Sequence, residues 1–114
     1  MRQTIKKYAD FAVSENDPTF RTEFFVVRAR PTKWPNNAQY GVRATKKTLK
    51  RAHDRNFAKR RLRALIREYQ GMLAGTHDYI FIARAAIIDV EFARLRELMQ
   101  RALKKLKNNK QPKD

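Results

Sequence analysis

Apolar residues recur along the chain with two different periods, and the period predicts which segments are helices. Between residues 54 and 73, apolar side chains return every three to four positions, which is the spacing of one face of an α-helix. Residues 92–106 repeat this spacing, and Asp89 is placed to cap that last helix, as Asp54 is for the earlier one. A shorter stretch with the same period, residues 4–12, is followed by a polar segment that ends in proline.

Three other segments carry the patterns of β-strands. Residues 20–29 include four consecutive apolar β-formers, which is typical of a strand buried on both faces. In residues 40–45 apolar and polar positions alternate, as in a half-buried strand, and residues 78–84 form a short, largely apolar strand. Because the turn-forming residues 31–38 separate the first two strands, the sequence predicts that these strands form a hairpin.

The order of elements, α-β-β-α-β-α, predicts an α+β fold. We expect a single-domain α-β sandwich in which helices pack against a small, mostly antiparallel sheet. The helix between the second and third strands is compatible with a crossover between parallel strands, which general rules make right-handed. A chain of 114 residues suits one domain, which we assign to residues 1–107. Residues 108–114 are polar and basic without apolar periodicity, and we expect a flexible tail.

The charge of the chain is large and concentrated in one segment. Lysine and arginine number 27 against 11 acidic residues, and eleven of these cations lie between Arg43 and Arg67. On a helical wheel, the predicted helix has a polar, mostly cationic stripe beside its apolar stripe. The polar stripe consists of Asn56, Lys59, Arg60, Arg63 and Arg67. A charged face that only contacts solvent normally mixes signs, so this stripe indicates a polyanionic partner with phosphates that arginine forks can bind.

Several kinds of chemistry find no support in the sequence. The chain has no cysteine, which excludes disulfides, iron–sulfur clusters and a thiol nucleophile. His53 and His77 lack metal-ligand spacing, and the carboxylates form no catalytic or metal-binding motif. We therefore expect no catalytic residue, metal site or cofactor in the protein, and no small-molecule substrate. No apolar run is long enough for a membrane span, and the N-terminus lacks an apolar signal core, so we expect a cytoplasmic protein.

RNA fits the sequence better than DNA does. A helix-turn-helix requires a second helix packed before the recognition helix, whereas the residues before the basic helix are strand-like. The aromatic residues Tyr8 and Phe11 and the strand containing Phe24 and Val26 offer stacking surface for unpaired bases. The alternative for these side chains is packing in the core, and for Phe11 both interpretations stay open.

The segment around the basic helix carries a longer signature. A Lys-Lys pair, Lys46 and Lys47, precedes a helix with the pattern A-x-x-R-N-x-x-K-R-x-x-R, formed by Ala52, Arg55, Asn56, Lys59, Arg60 and Arg63. In this pattern the chain resembles the protein component of bacterial ribonuclease P, and the resemblance extends along nearly the whole chain. The signature is long and irregularly spaced, so chance similarity is a poor explanation.

The resemblance implies a protein subunit of a ribonucleoprotein endonuclease that removes the 5′ leader from precursor tRNA. In that family the RNA subunit performs the Mg²⁺-dependent hydrolysis, and the protein is not catalytic by itself. Residues 1–107 would be one RNA-binding domain, with the fold of the second domain of a small-subunit ribosomal protein and a left-handed βαβ crossover. The residues implied to bind ribonuclease P RNA are Lys46, Lys47, Arg51, Arg55, Asn56, Lys59, Arg60, Arg63 and Arg67. The residues implied to form a cleft for the precursor-tRNA leader are Tyr8, Phe11, Phe24 and Val26.

Two positions depart from the family pattern, and two other functions stay open. Phe57 stands where the family has arginine, and we expect the nearby Arg61 to compensate for the lost cation. Glu15 stands where a second aromatic often follows Phe11, which weakens the expectation of leader contact. A ribosomal or other structural RNA-binding protein would share the charge and the fold. A stand-alone nuclease would cleave RNA without an RNA partner.

Overall fold

The computed structural model describes residues 3–4, 17–33 and 38–108, which form one sheet and two helices. The strands are β1 (Gln3–Thr4), β2 (Thr19–Arg21), β3 (Phe25–Pro31), β4 (Gln39–Arg43) and β5 (His77–Ala83). The helices are α1 (Ala52–Tyr69) and α2 (Phe92–Asn108), and 3-10 turns follow α1 at Gln70–Met72 and β5 at Ala85–Ile88. The α+β class is confirmed, and neither described helix is suited in length and hydropathy to cross a membrane. The predicted first helix lies outside the described residues except for its first residue, Thr4, which belongs to β1. The predicted tail, residues 108–114, also lies outside them except for Asn108, the last residue of α2.

The sheet is mixed because β5 lies at its centre. The strand order is β1-β4-β5-β3-β2, with β5 parallel to β4 and antiparallel to β3. The predicted hairpin of residues 20–29 with 40–45 is therefore wrong, and the sheet holds two parallel and two antiparallel pairs rather than a mostly antiparallel set. The physical reason is burial: Tyr79, Ile80 and Phe81 are each at most 2% exposed, and such a strand needs a neighbour on both sides.

The passage from β4 through α1 to β5 is confirmed as a crossover. The two strands are parallel neighbours, with Val42 opposite Phe81, and parallel strands can be joined only by a long connection. Here α1 makes that connection and packs back on the same two strands. The left hand of this crossover stays a prediction of the family resemblance.

The segment predicted as one strand over residues 20–29 is a hairpin of two strands. Thr22 makes the turn: its backbone N–H donates to the carbonyl oxygen of Phe25 at 2.9 Å. Its Oγ1 accepts the backbone N–H groups of Phe24 at 3.1 Å and Phe25 at 2.9 Å. Threonine hydroxyls compete with strand pairing in this way, and apolar periodicity gives no sign of it. As a result, Phe24 lies in the turn and packs, half-buried, against the core.

Side chains along each strand alternate between the face of the sheet that the helices cover and the opposite face, which we call the second face. On the helix side, Phe25, Val27 and Phe81 are fully buried and belong to the core that α1 and α2 complete. The opposite positions of the register form the second face, which includes Val26, Arg28, Arg30, Ile80 and Ile82. Apolar side chains and arginines thus share the second face.

Asp78 is the one charged side chain buried in the described core, and it ties three strands together. It is 1% exposed at the start of β5. Its Oδ1 accepts the backbone N–H of Gln39 in β4 at 2.7 Å. Its Oδ2 lies 3.5 Å from Nε of Arg30 in β3. A buried carboxylate is tolerated only with partners such as these, so Asp78 fixes the order and register of the central strands.

Both predicted helix caps are wrong. α1 begins two residues before Asp54, with Arg51 at the N-cap and no side-chain capping bond. Asp54 lies in the first turn, where a carboxylate favours the positive end of the helix dipole. Asp89 ends the 3-10 turn that buries Ile87, and α2 begins three residues later, where the Glu91 carbonyl accepts its first N–H groups. The turn around Ile87 is needed to fill the core between β5 and α2, and it displaces Asp89 from the helix.

Candidate nucleic-acid interface

Helix α1 buries one face and exposes a basic one. The buried side chains Ala58, Leu62, Leu65 and Ile66 are at most 3% exposed and pack against the sheet and α2. We call the polar side of this helix the basic face; it consists of Asn56, Lys59, Arg60, Arg63 and Arg67, all of which are exposed except the half-buried Lys59. The helical period that predicted this separation from the sequence is thus confirmed.

The arginines of the basic face are not neutralised by the protein. Within the described residues, Arg60, Arg63 and Arg67 form no ion pair and no hydrogen bond. The described ion pairs lie elsewhere, as for Glu97 with arginines of α2 and Glu68 with Arg96. An unpaired row of guanidinium groups on one rigid element creates a positive potential, and their forks can bind phosphate oxygens in bidentate geometry.

A loop directly before α1 extends the basic surface; we call residues 46–51 the lysine loop. Lys46 and Lys47 are exposed in a tight turn, which is closed by the N–H of Leu49 donating to the Thr45 carbonyl at 2.9 Å. Leu49 itself is buried and anchors the loop to the core. Arg51, exposed at the N-cap, joins the loop to the basic face. The two halves of the sequence signature are therefore adjacent in the fold.

Arg55 differs from the other signature cations because its guanidinium binds the protein itself. Its side chain is half-buried, and Nη1 donates to the carbonyl oxygens of Leu49 and Lys50, each at 2.9 Å. These two bonds hold the lysine loop to the first turns of α1. Arg55 thus positions Lys46 and Lys47, which the sequence alone does not reveal because a helical wheel shows no loop carbonyls.

Arg61 does not replace the cation that Phe57 removes. Its Nη1 donates to the carbonyl oxygens of Ile87 at 2.9 Å and Val90 at 2.7 Å, in the connection before α2. Its guanidinium also lies 5.1 Å from the ring centre of Phe57 and 5.7 Å from that of Phe92. The expected compensation is wrong, because Arg61 is committed to holding α1 against that connection.

The stacking continues beyond Phe92. The guanidinium of Arg96 lies 4.9 Å from the Phe92 ring centre on α2. Its Nε donates to both carboxylate oxygens of Glu68 on α1, at 3.0 and 3.1 Å, and this hydrogen bond raises the pKa of Arg96. We call Phe57, Arg61, Phe92 and Arg96 the aromatic–guanidinium stack. It links the outer sides of the two helices.

Replacing Arg61 by alanine is expected to lower the free energy of unfolding by about 1–3 kcal/mol, because two backbone carbonyls lose a charged donor. Urea unfolding measures the change. Arg60→Ala is the matched control, since Arg60 is exposed on the adjacent position and has no partner among the described residues. The control is expected to stay within about 0.5 kcal/mol of the wild type. Equal losses in both variants would contradict a structural role for Arg61.

A second concave surface lies at one end of the second face. This groove has a volume of about 600 Å³ and is lined by residues that include Arg21, Glu23, Val26, Arg28, Thr48, Ile82 and Arg84. Of the predicted leader-cleft residues, Val26 lines it, and Phe24 packs on the core side instead. Tyr8, Phe11 and Glu15 lie outside the described residues. Thr48 places the lysine loop at the edge of this groove.

Sequence reasoning missed the arginines of this groove, although a signal for them exists. Arg28, which lines this groove, and Arg30, which does not, alternate with Val27 and Ala29, which is the period of a strand with one polar face. The run of apolar residues just before them dominated the pattern. For Phe92, assigned to the apolar stripe of α2, periodicity gives no sign that its ring lies half-buried beside α1.

Comparisons with known proteins agree with this architecture. The ribonuclease P family model matches residues 1–107. The chain is 35% identical to the ribonuclease P protein component of Erythrobacter litoralis, over 93% of this chain and 87% of that protein. It is 31% identical to that of Shouchella clausii, over 92% of this chain and 86% of that protein. The structure of Staphylococcus aureus RNase P protein is similar with a TM-score of 0.74 at 26% identity, covering 91% and 94% of the two chains. The chain therefore belongs to the ribonuclease P protein family, as a subunit of an endoribonuclease that processes tRNA.

Proposed function

We propose that this chain binds ribonuclease P RNA through the basic face of α1 and the lysine loop. The observation that carries the proposal is the row of Arg60, Arg63 and Arg67, which is exposed and without partners in the described part of the chain. These side chains stand on a helix whose other face is fully buried, so they are held at fixed spacing. A fixed row of arginines can bind successive phosphates without ordering a flexible segment first.

We further propose that the 5′ leader of precursor tRNA binds in the second-face groove. Arg21, Arg28 and Arg84 supply positive charge there, and Glu23 is the one acidic residue among the described lining. The half-buried Ile82 supplies apolar surface beside these charges, with a small contribution from Val26, which is 7% exposed. Single-stranded RNA is bound by this combination of cations along the backbone and apolar surface under the bases.

In this proposal the hydrolytic chemistry belongs to the RNA subunit. Mg²⁺ prefers oxygen ligands, and the phosphates of a folded RNA provide them. When bound there, Mg²⁺ supplies charge stabilisation for in-line displacement at a phosphate. The protein contributes cations that reduce repulsion between the RNA subunit and its substrate, which lowers the Mg²⁺ concentration that the complex requires.

The affinity of the assembled complex for precursor and mature tRNA tests this function. With ribonuclease P RNA present, the protein is expected to raise affinity for precursor tRNA and to leave affinity for mature tRNA unchanged. Arg28→Ala is expected to reduce this preference about five-fold, because one charge-assisted contact to the leader is lost. Arg94→Ala, an exposed arginine of α2 paired with Glu97, is the control and should keep the preference. Equal affinity of the wild-type complex for the two tRNAs would favour a structural RNA-binding protein instead.

A further inference from the structure

A separate groove runs along α1 beside the basic face; we call it the side groove. Its volume is about 360 Å³, within the range of pockets that hold small ligands. Its floor is apolar and formed by Phe57, Ala64 and Phe92. The exposed arginines Arg60, Arg63 and Arg67 form its rim. An apolar floor with a cationic rim distinguishes it from the rest of the basic face.

The flat surfaces in the side groove are held in place before any partner binds. The Arg61 guanidinium lies within about 6 Å of the ring centres of both Phe57 and Phe92, and it is fixed by the Ile87 and Val90 carbonyls. The Arg96 guanidinium also lies 4.9 Å from the centre of the Phe92 ring. A surface that is already ordered loses little conformational entropy on binding. The aromatic–guanidinium stack is therefore preorganised to receive another planar group.

The chemistry of the side groove selects its occupant. Unpaired bases stack on aromatic rings and on guanidinium planes, and the phosphates beside them carry negative charge to the rim. An apolar peptide segment would fill the floor, but it would remove Arg60, Arg63 and Arg67 from water without a counter-charge, which is costly. A base-paired duplex would present phosphates to the rim and leave the floor empty. A single unpaired nucleotide satisfies both parts of the groove.

We propose that the side groove receives one unpaired nucleotide of ribonuclease P RNA, with its base stacked on Phe57 and its phosphate bound by the arginine rim. The proposal rests on the proposed function. We assign the nucleotide to the RNA subunit because Arg60 and Arg63 belong to both the side groove and the basic face. The leader, by contrast, is assigned to the groove of the second face. At Phe57, where the family pattern has arginine, this chain thus offers an aromatic ring for base stacking in place of a cation.

Affinity for ribonuclease P RNA, measured without tRNA, tests the proposal. Phe57→Leu keeps the apolar volume and removes the ring, and it is expected to weaken binding about 5- to 150-fold, the range for stacking of one base. The log–log salt slope should not change, because no cation is lost. Tyr69→Leu is the matched control, since it removes a half-buried ring from the same helix outside the side groove. It is expected to bind within two-fold of the wild type, with thermal unfolding confirming that both variants are folded.

Cross-linking gives a second readout that needs no loss of the ring. Phe57 replaced by p-benzoylphenylalanine is expected to cross-link to one unpaired nucleotide of the RNA subunit. A cross-link to the leader or to a duplex region, or wild-type affinity in Phe57→Leu, overturns the proposal, as does equal weakening by Tyr69→Leu. If one of these outcomes is found and the wild-type protein still binds the RNA, only the side-groove proposal is overturned and the proposed function is retained. Absence of binding by the wild type overturns both.

Discussion

Replacing Arg60, Arg63 and Arg67 together by alanine is expected to weaken binding of ribonuclease P RNA by at least 100-fold while leaving the fold intact. Each lost contact between a guanidinium and a phosphate is expected to cost about 1–3 kcal/mol, and a total of about 3 kcal/mol corresponds to roughly 150-fold in affinity. Stability should hold because these three side chains have no partner among the described residues. Filter binding over a range of salt concentrations measures the effect, and the log–log slope should become shallower by about two to three.

A triple variant of equal charge on α2 provides the control. Arg94→Ala, Arg101→Ala and Lys104→Ala also remove three exposed cations, and the first two already pair with Glu97. We expect this variant to lose less than ten-fold in affinity, since only the long-range attraction falls. Equal losses from the two triple variants would mean that net charge, rather than the basic face of α1, determines binding.

Replacing Asp78 by alanine is expected to lower the free energy of unfolding by about 3 kcal/mol, near the lower end for a broken buried ion pair. The loss has two parts: the Gln39 N–H loses its acceptor at 2.7 Å, and Arg30 loses its carboxylate partner. Arg30 is 16% exposed, so water solvates its guanidinium in part and limits the cost. Urea unfolding followed by circular dichroism measures the change.

Two further variants separate the parts of this effect. Asp78→Asn keeps an oxygen for the Gln39 N–H and removes the charge, and it is expected to lose about half as much stability. Asp89→Ala removes an exposed carboxylate and should stay within about 0.5 kcal/mol of the wild type. A loss below about 1 kcal/mol in Asp78→Ala would show that β3, β4 and β5 are held in register without this side chain.

The elements that the sequence predicted well are those whose burial follows a single period. The face of α1 with Leu62 and Ile66, and the short apolar strand that became β5, depend on local patterning alone. The pairing of strands depends on which strand is buried on both faces, and the sequence places β5 last of all the strands. The predicted hairpin of residues 20–29 with 40–45 is therefore wrong, because the order of strands along the chain does not reveal which strand is central.

The positions of the charged residues in the candidate site could be predicted from the sequence, but their structural or binding roles could not. Exposure of Arg60 and Arg63 follows from the helical wheel, whereas the partners of Arg61 lie 26 and 29 residues away, on Ile87 and Val90. Arg55 is similar, because its acceptors are carbonyls of a loop. Side chains that bind distant backbone groups leave no periodic trace, so cations with a structural role and cations with a binding role look alike in the sequence.

Cleavage of precursor tRNA by the reconstituted complex at low Mg²⁺ tests the central claim most directly. The claim is that this protein assists a catalytic RNA through cations placed on one rigid face. With a bacterial ribonuclease P RNA at a Mg²⁺ concentration where the RNA alone is nearly inactive, adding the protein is expected to restore removal of the 5′ leader. No cleavage above the level of the RNA alone would contradict the claim, and so would cleavage by the protein without the RNA.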